Sequence, residues 1–221
     1  MKAQLLAGKL SMRYRYVRFI LLFILGGFAY SVVGQAVPNS LDSLEQYLRI
    51  HMPTDSDYVR ALDRTARKLL FERADYARAD SLLGRSEPLD RTIGRWPGLS
   101  GAYNVRSTRY HLTAEPKLVL LNVQKAVQVI EEYNLSRSDL YAYLGNVAMA
   151  QGKLGQWEPM MQTALRAIRL QEQYQLKRRY SNTYTAVADA LKNRGRPQQA
   201  LSYAQEALVI DQQRPRQPNF S

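Results

Sequence analysis

The chain of 221 residues is long enough for one domain or a short repeat array, and its 46% hydrophobic and 23% charged residues exclude a disordered polymer. Cysteine is absent, which excludes a disulfide framework and the bacterial lipoprotein route, since that route needs a cysteine after the leader. The net charge of +12 does not point to nucleic acid, because basic residues are scattered among Asp and Glu along the chain rather than clustered.

Residues 1–36 differ from the rest. Lys2, Lys9, Arg13, Arg15 and Arg18 give a basic start with no acidic residue, and 19–33 (FILLFILGGFAYSVV) is a continuous apolar run. Gly34-Gln35-Ala36 then supplies small residues at alternate positions. This is the layout of a secretory signal peptide cleaved after Ala36. The run is shorter than the roughly 20 residues that span a bilayer, so the expected location is the periplasm or the exterior, with membrane contact only during export. Met12 serves as an alternative start, because MRYRYVR is itself a sufficient basic region. Removal of 1–36 leaves 26 Lys and Arg against 19 acidic residues, a net +7.

Residues 37–57 form a leading segment. Leu41, Leu44, Leu48 and Ile50 predict a short amphipathic helix capped by Ser40 and broken at Met52-Pro53, placed to cover the edge of the neighbouring segment. From 58 to 213 the chain repeats itself. DYARADSLLGRSEPL, EPKLVLLNVQKAVQV, QWEPMMQTALRAIRL and RPQQALSYAQEALVI align, with Tyr76, Pro116, Trp157 and Pro197 just after a turn at spacings of 40, 41 and 40. The same rhythm holds for Ala79, Val119, Met160 and Ala200, and for Ser86, Ala126, Ala167 and Ala207. Small residues seven apart share one helix face, so Ala200 and Ala207, with Ala204 between them, are expected to face a partner helix. Before each turn, Tyr103, Tyr141 and Tyr184 open a further apolar stretch at spacings of 38 and 43, which predicts three extra residues in the third turn (GKLGQW against GRP). The linker EEYNL at 131–135 returns as EQYQL at 172–176. Each unit is therefore helix, turn, helix, linker, with units near 58–97, 98–137, 138–178 and 179–213 and a flexible tail over 214–221.

This order of large, small and turn residues resembles the tetratricopeptide-repeat family. The last unit carries it through Tyr184, Val187, Ala188, Leu191, Gly195, Ala200, Ala204, Ala207 and Leu208, and the third through Tyr141, Leu144, Gly145, Gly155, Ala164, Ala167 and Ile168. The second unit departs at Arg106, where an apolar residue is usual. The first departs most, with Asp63 in place of the aromatic, Arg67 in place of the small residue and Pro88 interrupting the second helix; 84–98 reads as a bent helix or loop. The resemblance implies an all-α solenoid of antiparallel helix pairs, a right-handed superhelix of about four repeats, although a period near 40 exceeds the family's usual ~34. Repeats of this length also resemble the exported N-terminal arrays of some bacterial sensor histidine kinases, so a signalling input module stands as the alternative function.

No catalytic constellation is present. His51 and His111 lie in different segments, no paired ligands suggest a metal, GLSGA at 98–102 lacks the spacing of a serine elbow, and no phosphate loop occurs. The chain is expected to be no enzyme and to need no cofactor. The resemblance implies instead that the first helix of each unit lines a concave groove for a protein or peptide partner. Residues on those helices not needed for packing are the candidates: Arg64, Lys68, Asn104, Thr108, His111, Tyr143, Asn146, Thr185 and Asp189. The last helix is expected to leave one flank uncovered, for a partner or a second copy.

Overall fold

A computed structural model describes residues 36–51 and 55–213; the leader expected over 1–36 and the tail expected over 214–221 fall almost wholly outside them. The described elements are helices: α1 (Leu41–Ile50), α2 (Ser56–Lys68, continued as one π-turn over Leu69–Arg73), α3 (Tyr76–Thr92), α4 (Trp96–Leu112), α5 (Pro116–Glu132), α6 (Arg137–Lys153), α7 (Trp157–Gln173), α8 (Ser181–Asn193) and α9 (Pro197–Gln212). They pair as α2–α3, α4–α5, α6–α7 and α8–α9, and each pair packs on the next. The architecture is an all-α solenoid of four helix hairpins behind a leading helix. Its core is correspondingly a row of local clusters, each shared by neighbouring units.

The repeated residues fall where the hairpins need them. Tyr76, Pro116, Trp157 and Pro197 are the first residues of α3, α5, α7 and α9. Ala79, Val119, Met160 and Ala200 are all buried, as are Ser86, Ala126, Ala167 and Ala207. Ala204 departs from expectation: it is exposed and faces away from α8.

The turns repeat too. Ala74, Ala114, Gly155 and Gly195 close the first helices with φ of 52°, 56°, 71° and 70°, and Gly94, Asn134 and Gln175 close the second helices at 68°, 49° and 49°. This left-handed C-terminal residue lets the carbonyls of the last turn find partners while the chain reverses.

These turns correct one register. Ala114, Gly155 and Gly195 are spaced 41 and 40, so the third turn contains no insertion. The residue equivalent to Tyr103 and Tyr184 is Leu144, and Tyr141 sits one helical turn earlier, level with Ser100 and Ser181. The apparent extra residues arise because Tyr141 stands three positions before that true counterpart; separately, α8 begins late, at Ser181. Tyr141 is buried and its hydroxyl accepts from the Tyr180 N–H at 3.0 Å, tying the linker down where that helix turn is missing.

The first unit compensates for its departures with charge. Asp63, at the Tyr103 position, bonds the Arg95 guanidinium, whose Nε also donates to Asp90 Oδ1 at 2.6 Å. Asp90 is fully buried and its Oδ2 has no hydrogen-bond partner among the described residues. Burial, then the Asp63 charge, push the Asp90 carboxyl up to about 7 against the pull of Arg95; burial likewise raises Asp63. Gly98 makes the bridge possible, since a Cβ there would run into the folded-back Arg95 guanidinium. Arg67, in place of the small residue, is simply exposed. Arg106 in the second unit pairs with Glu87 at 3.2 Å and Asp80 at 3.8 Å, so α3 carries carboxylates where an apolar contact was expected.

Pro88 does not interrupt α3, which runs unbroken to Thr92. Pro88 and Gly84, whose carbonyl loses its helical partner, are both exposed to solvent. The leading helix α1 is capped by Ser40, whose Oγ accepts from Ser43 N–H at 3.2 Å. It packs on α2 with Leu41, Leu44 and Tyr47 buried, while Ile50 points outward.

Candidate functional site

The first helices of successive pairs, α2, α4, α6 and α8, run along one side of the stack, where α2 meets α4 and α6 meets α8. These helices do not approach one another equally. Between α6 and α8 a Cβ on Gly145 would meet Thr183 Oγ1 at 3.2 Å, so two small residues bring those helices into direct contact. One unit earlier the same two levels hold Asn104 on α4 and Tyr143 on α6. Tyr143 packs against the cluster of Leu99 and Tyr103 on α4, and Asn146 Nδ2 donates to Asn104 Oδ1 at 3.3 Å. Larger side chains at that level prop α4 and α6 apart.

Beyond the prop lies a cavity of about 410 Å³. Its walls come from Ser107, Thr108 and His111 on α4, from Ala114, Glu115, Pro116 and Val119 at the turn into α5, and from Asn146, Met149, Ala150 and Lys153 on α6. The floor is apolar and the rim polar. Thr108 Oγ1 donates to the Asn104 carbonyl at 3.1 Å, and Glu115 is held by Thr113 Oγ1 at 2.6 Å and Arg109 at 3.2 Å. Lys153 and His111 are exposed at the mouth.

Of the candidates read from the sequence, Thr108, His111 and Asn146 line this cavity and Asn104 supports Asn146. The other five lie elsewhere. Arg64 donates to the Pro38 carbonyl at 2.8 Å and to Asn39 Oδ1 at 3.0 Å, anchoring the segment before α1. Lys68 pairs with Glu72 at 2.5 Å. Tyr143 is the prop itself, half-buried against α4, and burial pushes its phenol up to about 12. Thr185 is exposed on α8 and bonds back to the Ser181 carbonyl at 3.1 Å, while Asp189 is exposed one turn on. Ser107, Glu115, Met149 and Lys153 are additional lining residues. Among the described residues no group of three or more His, Asp or Glu lies together to hold a metal, and no helix is long and apolar enough to cross a membrane.

Four helix hairpins with small residues at their crossings and a lined inner face define an α-solenoid of the tetratricopeptide-repeat type. No family model and no curated protein matches the chain. Solved structures do. BtubC (BKLC) from P. vanneervenii superposes with a TM-score of 0.63 at 13% identity, over 81% of this chain and 74% of that one. A Podosopora anserina kinesin light chain built of nearly identical TPR-like repeats gives 0.59 at 15% identity, over 79% and 88%. MamA gives 0.58 at 14% identity, over 78% and 86%. At these identities the likeness is one of fold.

Proposed function

We propose that the chain is a non-enzymatic scaffold that holds a segment of a protein partner on its inner face, anchored in the cavity between α4 and α6. The cavity's size and lining carry this reading. A volume of about 410 Å³ accepts one large apolar side chain against Val119, Met149 and Ala150, within the usual range for ligand pockets of ~300–1,000 Å³. Around it, the Asn146 amide suits a peptide backbone and the Lys153 ammonium suits an acidic neighbour of the anchor residue. The surrounding helices are fixed by packing, so little ordering opposes binding.

The test is selection of peptides from a displayed random library on the Pro38–Ser221 unit, which contains every described helix. Selected peptides are expected to share an apolar anchor and to lose at least tenfold in affinity against Met149→Lys or Lys153→Glu. Equal binding to both variants would refute the placement. Export belongs to the same proposal, supported by the basic start and apolar run of 1–36. A mature N-terminus at Val37, read by mass spectrometry of the cell-envelope or medium fraction, is the expected result; a retained Met1 or Met12 would overturn it.

A further inference from the structure

We propose that the outer face of α9 is a self-association surface, on which a second copy docks by a two-fold contact. The fold itself marks this face. In each hairpin the second helix is covered by the first helix of the next pair, and one ladder of positions takes that contact. Leu83, Val123 and Ala164 are at most 1% exposed, whereas Ala204, the next member at the same 40, 41, 40 spacing, is exposed. Val127 and Ile168 are 8% and 7% exposed, and their successor Leu208 is 57% exposed. Leu201 is 58% exposed on the same face. Among the described residues no helix follows α9 to cover it.

The chemistry of the face selects the occupant. Helices α5 and α7 each carry four charged side chains, but α9 has only Glu206 and Asp211. Both are engaged on the other side: Glu206 pairs with Arg179 in the linker before α8 at 2.5 Å, and Asp211 accepts from Ser181 Oγ at the start of α8 at 2.6 Å. The stripe of Leu201, Ala204, Gln205, Leu208 and Gln212 is therefore uncharged on a basic chain, so it repels no identical face. It is also self-complementary. Leu201 and Leu208 are seven residues apart, about two turns or ~10 Å. A two-fold axis near Ala204 sets Leu201 of one copy against Leu208 of the other, and the alanine gap lets the helices close. Head-to-tail stacking is not open to it, because α1 covers the outer side of α2 at the opposite end. The self-complementary spacing then favours the isologous pairing.

One helix face is small, below the ~1,200 Å² in total that stable complexes bury, so the dimer is expected at concentrations on the order of tens of micromolar. Sedimentation equilibrium of the Pro38–Ser221 unit is expected to pass from monomer to dimer mass as concentration rises. Leu201→Glu with Leu208→Glu should weaken association at least tenfold and leave helix content and melting unchanged, because both side chains are more than half exposed. The chain has no cysteine, so Ala204→Cys gives one thiol per copy; oxidation should link it rapidly, and Gln124→Cys, on the outer side of α5, should not link. A strictly monomeric wild type, an unaffected Leu-to-Glu dimer, or equal linking at both cysteines would each overturn the proposal. None of these outcomes bears on the cavity between α4 and α6.

Discussion

The Asp63–Arg95–Asp90 bridge, with Asp90 fully buried, gives the first unit a pH dependence that can be worked out in sign and size. Asp90 is held near 7 in the folded chain, by burial first and the Asp63 carboxylate second, and its ordinary value is 3.8. Between those values the folded chain keeps a proton that the unfolded chain has released. Stability from this group is therefore present in acid and is lost as pH rises toward and past 7. Integrated from about pH 5 to pH 8, the loss is on the order of 2–3 kcal/mol, or roughly 5–10 °C in melting temperature for a unit of this size. Asp90→Asn removes the titration while keeping the side chain's shape and the Asp63–Arg95 pair. The variant is expected to melt within a few degrees of wild type near pH 5 and clearly above it near pH 8. The assay is thermal unfolding by circular dichroism across that range, with the two proteins compared at each pH so that other titrations cancel. Parallel curves, or a wild type that gains on the variant as pH rises, would refute the placement of an unneutralised carboxylate pair in this core.

Gly98→Ala drives a methyl into the Arg95 guanidinium, which two carboxylates hold in place, and is expected to cost about 1–3 kcal/mol in urea unfolding; an unchanged midpoint would show the guanidinium free to move. Ala74 closes α2 with φ of 52°, so Ala74→Gly should stabilise by about 0.5–1 kcal/mol despite the looser unfolded chain, read as a higher urea midpoint at unchanged slope. Tyr143→Thr with Asn104→Gly reproduces the small-residue contact of Gly145 and Thr183 between α4 and α6. The paired variant should shorten the distance between spin labels at Leu112 and Lys153 by about 2 Å, toward close helix packing, and abolish peptide capture; an unchanged distance would show that the prop is not what holds the cavity open.

Much of the second-helix architecture was legible because its constraints are local and repeat. A helix start, a buried residue three positions on and a small residue seven beyond that recur in all four units, and the hairpin needs each of them. The register of the third unit was not legible, because Tyr141 imitates Tyr103 and Tyr184 from a position one turn away. Only the turn residues, left-handed at Ala114, Gly155 and Gly195, show that Leu144 is their true counterpart. Alanine at the first of these positions hid the signal, since glycine is the residue that announces such a turn. Pro88 misled for a different reason: it lies near the end of α3, where both it and Gly84 are exposed, and the helix runs on through it to Thr92.

The same register decides how far the site could be read. Thr108, His111 and Asn146 stand beside the packing ladder on α4 and α6, and the structure sets all three around the cavity. The role of Arg64 was not legible, since its partner is a backbone carbonyl 26 residues earlier, and no pattern of side chains encodes that. Met149 and Lys153 acquire a role only because α4 and α6 fail to close on each other, and that failure is a property of pairs. With Tyr141 aligned to Tyr184, Tyr143 stands opposite Ala186 and nothing distinguishes the two interfaces. With Leu144 aligned instead, Tyr143 matches Thr183 and Asn104 matches Gly145, so a large pair replaces a small one at the same level. A repeat protein with uniform contacts would offer a uniform inner face; here one enlarged pair among the small ones creates the recess, and its position follows from the sequence once the register is right.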